Sequence, residues 1–129
     1  MALILIVDDS PTARKAIMNI IEGAGHRVLT ASSGQEALEI APKMLPDLII
    51  MDVMMDNMNG FEATRSLSSS EDTAEIPVII VSGRSSLSDK KWGLRQGARD
   101  YIVKGSDEKN LTKDLKTDLL LSIKKILGE

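Results

Sequence analysis

The sequence predicts an α/β protein, a five-stranded parallel sheet flanked by five helices. Short, continuous, largely β-branched apolar runs alternate along the chain with segments of helical period. The runs lack polar alternation, so both faces of each strand must be covered, as in a parallel sheet. The length, 129 residues with 43% apolar content, suits one domain with one core.

Leu3 to Val7 is the first strand. Ser10 and Pro11 then open a helix, Ser as N-cap and Pro in the first helical position, where its missing N–H costs nothing. Ile17, Ile20, Ile21 and Ala24 give that helix an apolar face, and Gly23 and Gly25 end it. Val28 to Ala31 is the second strand. Ser33-Gly34-Gln35-Glu36 fits a capping box, followed by Ala37, Ile40, Ala41 and Met44 at helical spacing. Pro46 and Asp47 precede a third strand, Leu48 to Met51.

Gly60 opens a helix through Ala63 and Leu67, and Ser68 to Ser70 begin a surface loop. Pro77 introduces a fourth strand, Val78 to Val81. A short helix spans Ser86 to Gln96, with Gly97 as its stop. Tyr101 to Val103 is the fifth strand. Ser106 caps a last helix, with Asp107 and Glu108 in its first turn and a stripe of Leu111, Leu115, Leu119 and Ile123. Only Gly128 and Glu129 follow. Residues 1–129 are therefore expected to form a single domain with no output domain, its crossovers right-handed.

Composition excludes several functions. A formal charge of −3 argues against a general nucleic-acid or membrane-surface binder. The absence of cysteine removes disulfides and thiolate metal sites. The apolar start of the chain is short, has no basic flank and runs straight into Asp8-Asp9, so neither a signal peptide nor membrane insertion is expected. The expected location is cytoplasmic. With one Phe, one Trp and one Tyr, the core must be built from aliphatic residues and Met.

In open α/β sheets, ligands bind outside the carboxyl ends of the strands. Asp8 and Asp9 follow the first strand, Asp52 the third, Ser82 the fourth and Lys104 the fifth. Clustered carboxylates repel one another and call for a cation. Oxygen donors of this kind suit Mg²⁺. Lys104 adds a compact positive charge, Ser82 a hydroxyl, and a carboxylate can act as the nucleophile that forms an aspartyl phosphate. Such a set matches phosphoryl transfer, which needs positioning and charge neutralisation above all.

Val7-Asp8-Asp9-Ser10, Pro46 to Asp52, Met58-Asn59-Gly60, Pro77 to Gly83, and Gly97 to Tyr101 with Lys104 resemble the two-component response-regulator receiver domain, over nearly the whole chain. The resemblance implies a flavodoxin-like receiver fold with strand order 2-1-3-4-5. It implies Asp52 as phosphoacceptor, with a histidine kinase as donor. It implies Mg²⁺ held by Asp8, Asp9, Asp52 and the Met54 backbone carbonyl, and a phosphoryl group gripped by Ser82, Gly83 and Lys104. Tyr101 matches an aromatic switch position that works with Ser82. Such a chain is a stand-alone switch acting on an unknown protein partner through its fourth helix and fifth strand. It is not an enzyme beyond self-phosphotransfer and slow self-dephosphorylation. A finer resemblance, over Trp92 to Tyr101, is to the receivers of type IV pilus chemotaxis-like systems, which control twitching motility.

Two positions depart from the family pattern. Gly105 stands where most receivers have a cis proline. A cis bond before a non-proline residue costs about 2.5–4 kcal/mol, so a trans Lys104–Gly105 bond is expected. Asp56 stands where a proline is common and adds negative charge beside the site. Both are candidate modulators of Mg²⁺ affinity and phosphoryl lifetime, and they keep open a phosphate-independent pseudo-receiver, a binding module, or a phosphate sink. A hydrolytic phosphatase is disfavoured, because such enzymes usually carry a second acid two residues after the nucleophile, and here that residue is Met54. Met51, Met54, Met55 and Met58 imitate a helical stripe, but Met51 belongs to a strand. His26 reads as a plain residue entering the second strand. Arg84, Lys90, Lys91, Arg95, Arg99 and Lys104, against Asp89 and Asp100, form a basic stretch that is either a docking face for an acidic partner or a solvated helix face.

Overall fold

The computed structural model describes residues 1–53, 58–84, 86–104 and 113–128. The strands are β1 (Leu3–Val7), β2 (Arg27–Ala31), β3 (Leu48–Met51), β4 (Val78–Ser82) and β5 (Asp100–Val103). The helices are α1 (Pro11–Gly23), α2 (Gly34–Met44), α3 (Gly60–Ser69), α4 (Leu87–Arg95) and α5 (Lys113–Leu127). All strand pairs are parallel, in the order β2-β1-β3-β4-β5. The class and strand order expected from the sequence are the ones found. β2, β4 and β5 each extend the expected strand by one residue, taking in Arg27, Ser82 and Asp100.

The two-residue period of a strand divides the core into two layers. Leu5, Val7, Ile49, Met51, Val78, Ile80 and Tyr101 face one way, against Ala37 and Ala41 of α2 and Phe61, Ala63 and Leu67 of α3. Ile4, Ile6, Leu48, Ile50, Ile79, Val81 and Ile102 face the other way, against Ile17 and Ile21 of α1 and Leu115, Leu119 and Ile123 of α5. β1, β3 and β4 are thus buried on both sides, which explains their unbroken apolar sequences. Alanines on the inner faces of α2 and α3 bring those helices close to the sheet where aromatics are scarce.

The caps follow the sequence in most places. Ser10 accepts from the Ala13 N–H at 3.2 Å, and Pro11 occupies the first turn of α1. Ser33 accepts from the Glu36 N–H, but the Glu36 carboxylate takes the Ser32 hydroxyl, so the reciprocal half of the expected box is made by the neighbouring serine. Asn59, a cap the sequence reading did not single out, accepts from the Glu62 N–H at 2.9 Å. Ser86 caps α4 by accepting from the Asp89 N–H, and α4 ends at Arg95, with Gln96 as C-cap and Gly97 in the left-handed region at φ 111°. Ser106, Asp107, Glu108 and Leu111 lie outside the described residues.

Two expected core positions are corrected. Ala24 is exposed, because α1 ends before it and it serves as C-cap. Met44 is 51% exposed, because α2 turns its last residue away from the sheet. α2 also carries Pro42 within its last turn and ends on Leu45, a non-glycine residue at φ 47°, ψ 61°. Leu45 is 57% exposed, so no packing offsets the contact between its Cβ and carbonyl in this conformation. Leu45→Gly is expected to raise stability by about 0.5–1 kcal/mol, read as a higher urea midpoint at unchanged slope; an equal or lower midpoint would contradict it.

Candidate functional site

Asp8, Asp52 and Lys104 each stand just past a strand end and are held there by a ladder bond that continues beyond the strand. The Asp8 N–H donates to the Ala31 carbonyl at 3.1 Å, the Asp52 N–H to Val7 at 2.9 Å, and the Lys104 N–H to Ser82 at 2.7 Å. Side chains that are far apart in sequence therefore meet on one edge with the precision of the sheet.

They meet as the sequence suggests. Asp8, Asp9 and Asp52 each place a carboxylate oxygen within 4.8 Å of the others. Asp8 and Asp52 are buried, and Asp9 is exposed at the rim. Lys104, itself buried, reaches into the cluster, its Nζ 2.9 Å from Asp8 Oδ2 and 3.4 Å from Asp52 Oδ1. Asp52 Oδ1 also accepts the Val53 N–H at 2.9 Å. Asp8 is gripped from several sides: its Oδ1 accepts the Ser10 N–H at 2.9 Å, and its carbonyl oxygen accepts Nη1 of Arg14 at 2.7 Å. Arg14 was not legible from the sequence, where it reads as an ordinary helix residue.

The charges are unevenly compensated. Burial pushes the Asp52 carboxyl from 3.8 up to about 6; Lys104 opposes that rise and the charge of Asp8 adds to it. Burial acts to lower the pKa of Lys104, yet the attraction of Asp52 and Asp8 outweighs it and holds the ammonium above its ordinary range. Three carboxylates face one ammonium, an excess of negative charge built from hard oxygen donors. That donor set fits a divalent cation such as Mg²⁺.

Ser82 is fully buried at the end of β4, and its hydroxyl accepts the Arg84 N–H at 3.1 Å. Gly83 beside it is exposed. Tyr101 lies inward, 9% exposed, and its phenol donates to the Arg84 carbonyl at 2.8 Å. Burial holds that phenol above its ordinary pKa. The backbone of Arg84 thus joins Ser82 to Tyr101 through its N–H on one side and its carbonyl on the other. Met54, Asp56, Gly105 and the Lys104–Gly105 peptide lie outside the described residues. Among the residues set aside on sequence grounds, His26 sits at the opposite edge of the sheet and accepts the Ala2 N–H at 3.0 Å through Nδ1.

Gly60 has a role that the sequence reading saw only as part of a motif. Its N–H donates to the Val53 carbonyl at 3.0 Å, and a Cβ there would stand 2.0 Å from the Asp52 carbonyl oxygen. Glycine alone lets the start of α3 lie against the backbone of Asp52. The Asn-Gly pair at the helix start was the available signal.

The raised Asp52 pKa has a consequence for stability. Between roughly pH 4 and 6 the folded chain holds a proton at Asp52 that the unfolded chain has lost, so stability falls as pH rises through this window. Without divalent cations, Asp52→Asn is expected to be more stable than the parent at pH 7, by on the order of 1–3 kcal/mol. The gap should close toward pH 4, and urea denaturation across this range reads it directly. A parent protein as stable as the variant at pH 7 would contradict the imbalance.

Comparison with known proteins agrees with this geometry. Residues 4–116 match the model of the response regulator receiver domain. The chain is 47% identical over 115 residues to Protein PilH of Pseudomonas aeruginosa, an alignment covering 89% of this chain and 95% of that protein. Among solved structures, chemotaxis protein CheY4 of Vibrio cholerae superposes with a TM-score of 0.85 at 31% identity, over 98% of this chain and 99% of the other. The response regulator domain of Thermotoga maritima CheB gives 0.87 at 32% identity, over 98% and 96%. With a family model matched over residues 4–116 and a relative 47% identical over 89% of this chain, the chain belongs to the response regulator receiver domain family.

Proposed function

We propose that this chain is a stand-alone response regulator that takes a phosphoryl group on Asp52 from a histidine kinase, with Mg²⁺, and thereby changes which protein binds its α4 and β5 face. The observation that carries the reading is the buried Lys104 ammonium, 2.9 Å from Asp8 and 3.4 Å from Asp52, within a cluster of three carboxylates. A surface ion pair needs no such burial; a site that must neutralise an arriving phosphoryl group does.

Both anchoring contacts on Asp52 fall on Oδ1, from Val53 and Lys104. That supports attack by Oδ2: its electron pair would form the new O–P bond, and the P–N bond of a phosphohistidine would break with its pair retained by the imidazole. A Mg²⁺ ion held by Asp8, Asp9, Asp52 and the Met54 carbonyl would neutralise charge on the phosphoryl oxygens. Lys104 would pair with one phosphoryl oxygen, and Ser82, beside Gly83, would donate a hydrogen bond from its hydroxyl to another. Turning Ser82 toward the phosphoryl group would take its oxygen from the N–H of Arg84, the residue whose carbonyl also holds Tyr101. The switch is a population shift, driven by the difference in these contacts between two states.

The partner face is suggested by α4. Leu87 and Leu94, 67% and 48% exposed, share a side with the exposed Lys91 and Arg95, and Trp92 stands beside them, 50% exposed. An acidic partner with apolar anchors suits that surface. The 95% coverage of PilH supports a receiver that works without an attached output domain, and the finer resemblance supports a pilus-linked chemotaxis-like pathway. Among the described residues no helix is long and apolar enough to cross a membrane, in keeping with a cytoplasmic partner of a kinase.

Incubation with acetyl phosphate and Mg²⁺ is expected to add the mass of one phosphoryl group to the parent and none to Asp52→Asn. Label persisting in the variant would overturn the acceptor assignment. Chelating the Mg²⁺ with EDTA should cut the labelling rate of the parent at least tenfold, and Lys104→Met should accept phosphoryl but lose the change in Trp92 emission that accompanies it. A parent that takes no label and shows no response to millimolar Mg²⁺ would instead be a pseudo-receiver.

A further inference from the structure

Gly93 lies in the middle of α4 and is the buried residue of that helix. Its φ is not positive, so the backbone does not demand glycine there. Glycine inside a helix costs about 1 kcal/mol relative to alanine. The reason for it is steric: a Cβ at position 93 would stand 2.9 Å from Tyr101 Cδ2, 3.0 Å from Ile80 Cδ1 and 3.3 Å from Phe61 Cε1. Ile80 offers the end of a flexible side chain, and Phe61 is only slightly too close. The Tyr101 ring is the rigid obstacle.

We propose that Gly93 is a positioning residue for Tyr101: its missing side chain is the seat that admits the ring, and it ties the place of α4 to the place of that ring. Little else anchors the helix, since Leu87, Trp92 and Leu94 are all about half exposed or more. The seat continues into the site. Tyr101 donates to the Arg84 carbonyl, and the Arg84 N–H donates to Ser82. A movement of the ring out of the seat would free α4 to settle closer to the sheet, and would carry Trp92, the preceding residue, with it. The regulatory meaning of that coupling rests on the phosphoacceptor reading above; the packing relation between Gly93 and Tyr101 does not.

The chain has one Tyr and one Trp, so each is its own probe. With 3-fluorotyrosine in place of tyrosine, the parent should give a ¹⁹F resonance with a small H₂O/D₂O solvent shift. Gly93→Ala should move the resonance and enlarge the solvent shift several-fold as the ring is expelled. Trp92 emission should change on Gly93→Ala when Tyr101 is present and stay unchanged when the same substitution is made in Tyr101→Ala, a non-additivity that general destabilisation would not produce. A folded Gly93→Ala protein with the parental ¹⁹F signal overturns the proposal. If Gly93→Ala alone does not fold, Gly93→Ala with Tyr101→Ala must fold as well as Tyr101→Ala, and failure of that double variant overturns it too. Acetyl phosphate labelling of the parent is scored separately: its absence would remove the phosphoacceptor reading and leave the ¹⁹F comparison decisive for Gly93.

Discussion

Three acidic side chains share one edge of a sheet with a single ammonium, and the rest of the molecule is arranged around keeping them there. In water such a cluster would disperse by rotation of its side chains. Here the backbones cannot yield, because Asp8, Asp52 and Lys104 are each fixed by a ladder bond beyond the end of their strands. The side chains are held as well: Asp8 by Ser10 and Lys104, Asp52 by Val53 and Lys104. The sheet that supplies this rigidity is stabilised in turn by two aliphatic layers, one under α2 and α3 and the other under α1 and α5. Burial of the apolar strands on both faces is therefore what makes it possible to crowd like charges at their ends.

Much of this was legible in the sequence, and for a physical reason. A parallel strand buried on both faces must be continuously apolar, so Leu3–Val7, Leu48–Met51 and Val78–Val81 announced themselves, and the first polar residue after each one marked the functional edge. N-caps at Ser10 and Ser33 were legible because capping is a local interaction between a side chain and a backbone three residues on. The strand-end acids and Lys104 became a site only through the regularity of the fold, which carries residues 44 and 96 positions from Asp8 to its side.

What could not be read depends on contacts that have no sequence period. Arg14 finds the Asp8 carbonyl because of how α1 leaves β1. Asp47 ties the start of β3 to Leu3, accepting the Leu3 N–H on its carboxylate at 2.8 Å and donating its own N–H to the Leu3 carbonyl. Gly60 and Gly93 look like any glycine near a helix, and only the distance from an added Cβ to Asp52 or to Tyr101 shows why no other residue fits. Met44 was misplaced because a helical period predicts a face and not where the helix outruns the sheet it packs on.

The division between rigid and yielding parts bears on how such a site can act as a switch. The strand ends are over-determined, so a change of charge at Asp52 cannot be absorbed by moving Asp8, Asp52 or Lys104. It must be passed to a group whose contacts are few. Ser82 is such a group on β4: its backbone is locked in the sheet, while its hydroxyl, at the strand end, meets the Arg84 N–H and the Tyr101 phenol. From Arg84 the constraint passes to Tyr101, and from the Tyr101 ring to a helix that buries no side chain larger than that of glycine. Under the proposed switch, a small rearrangement at the buried acids would run along these contacts toward α4 and the exposed Leu87, Trp92 and Leu94 that it carries.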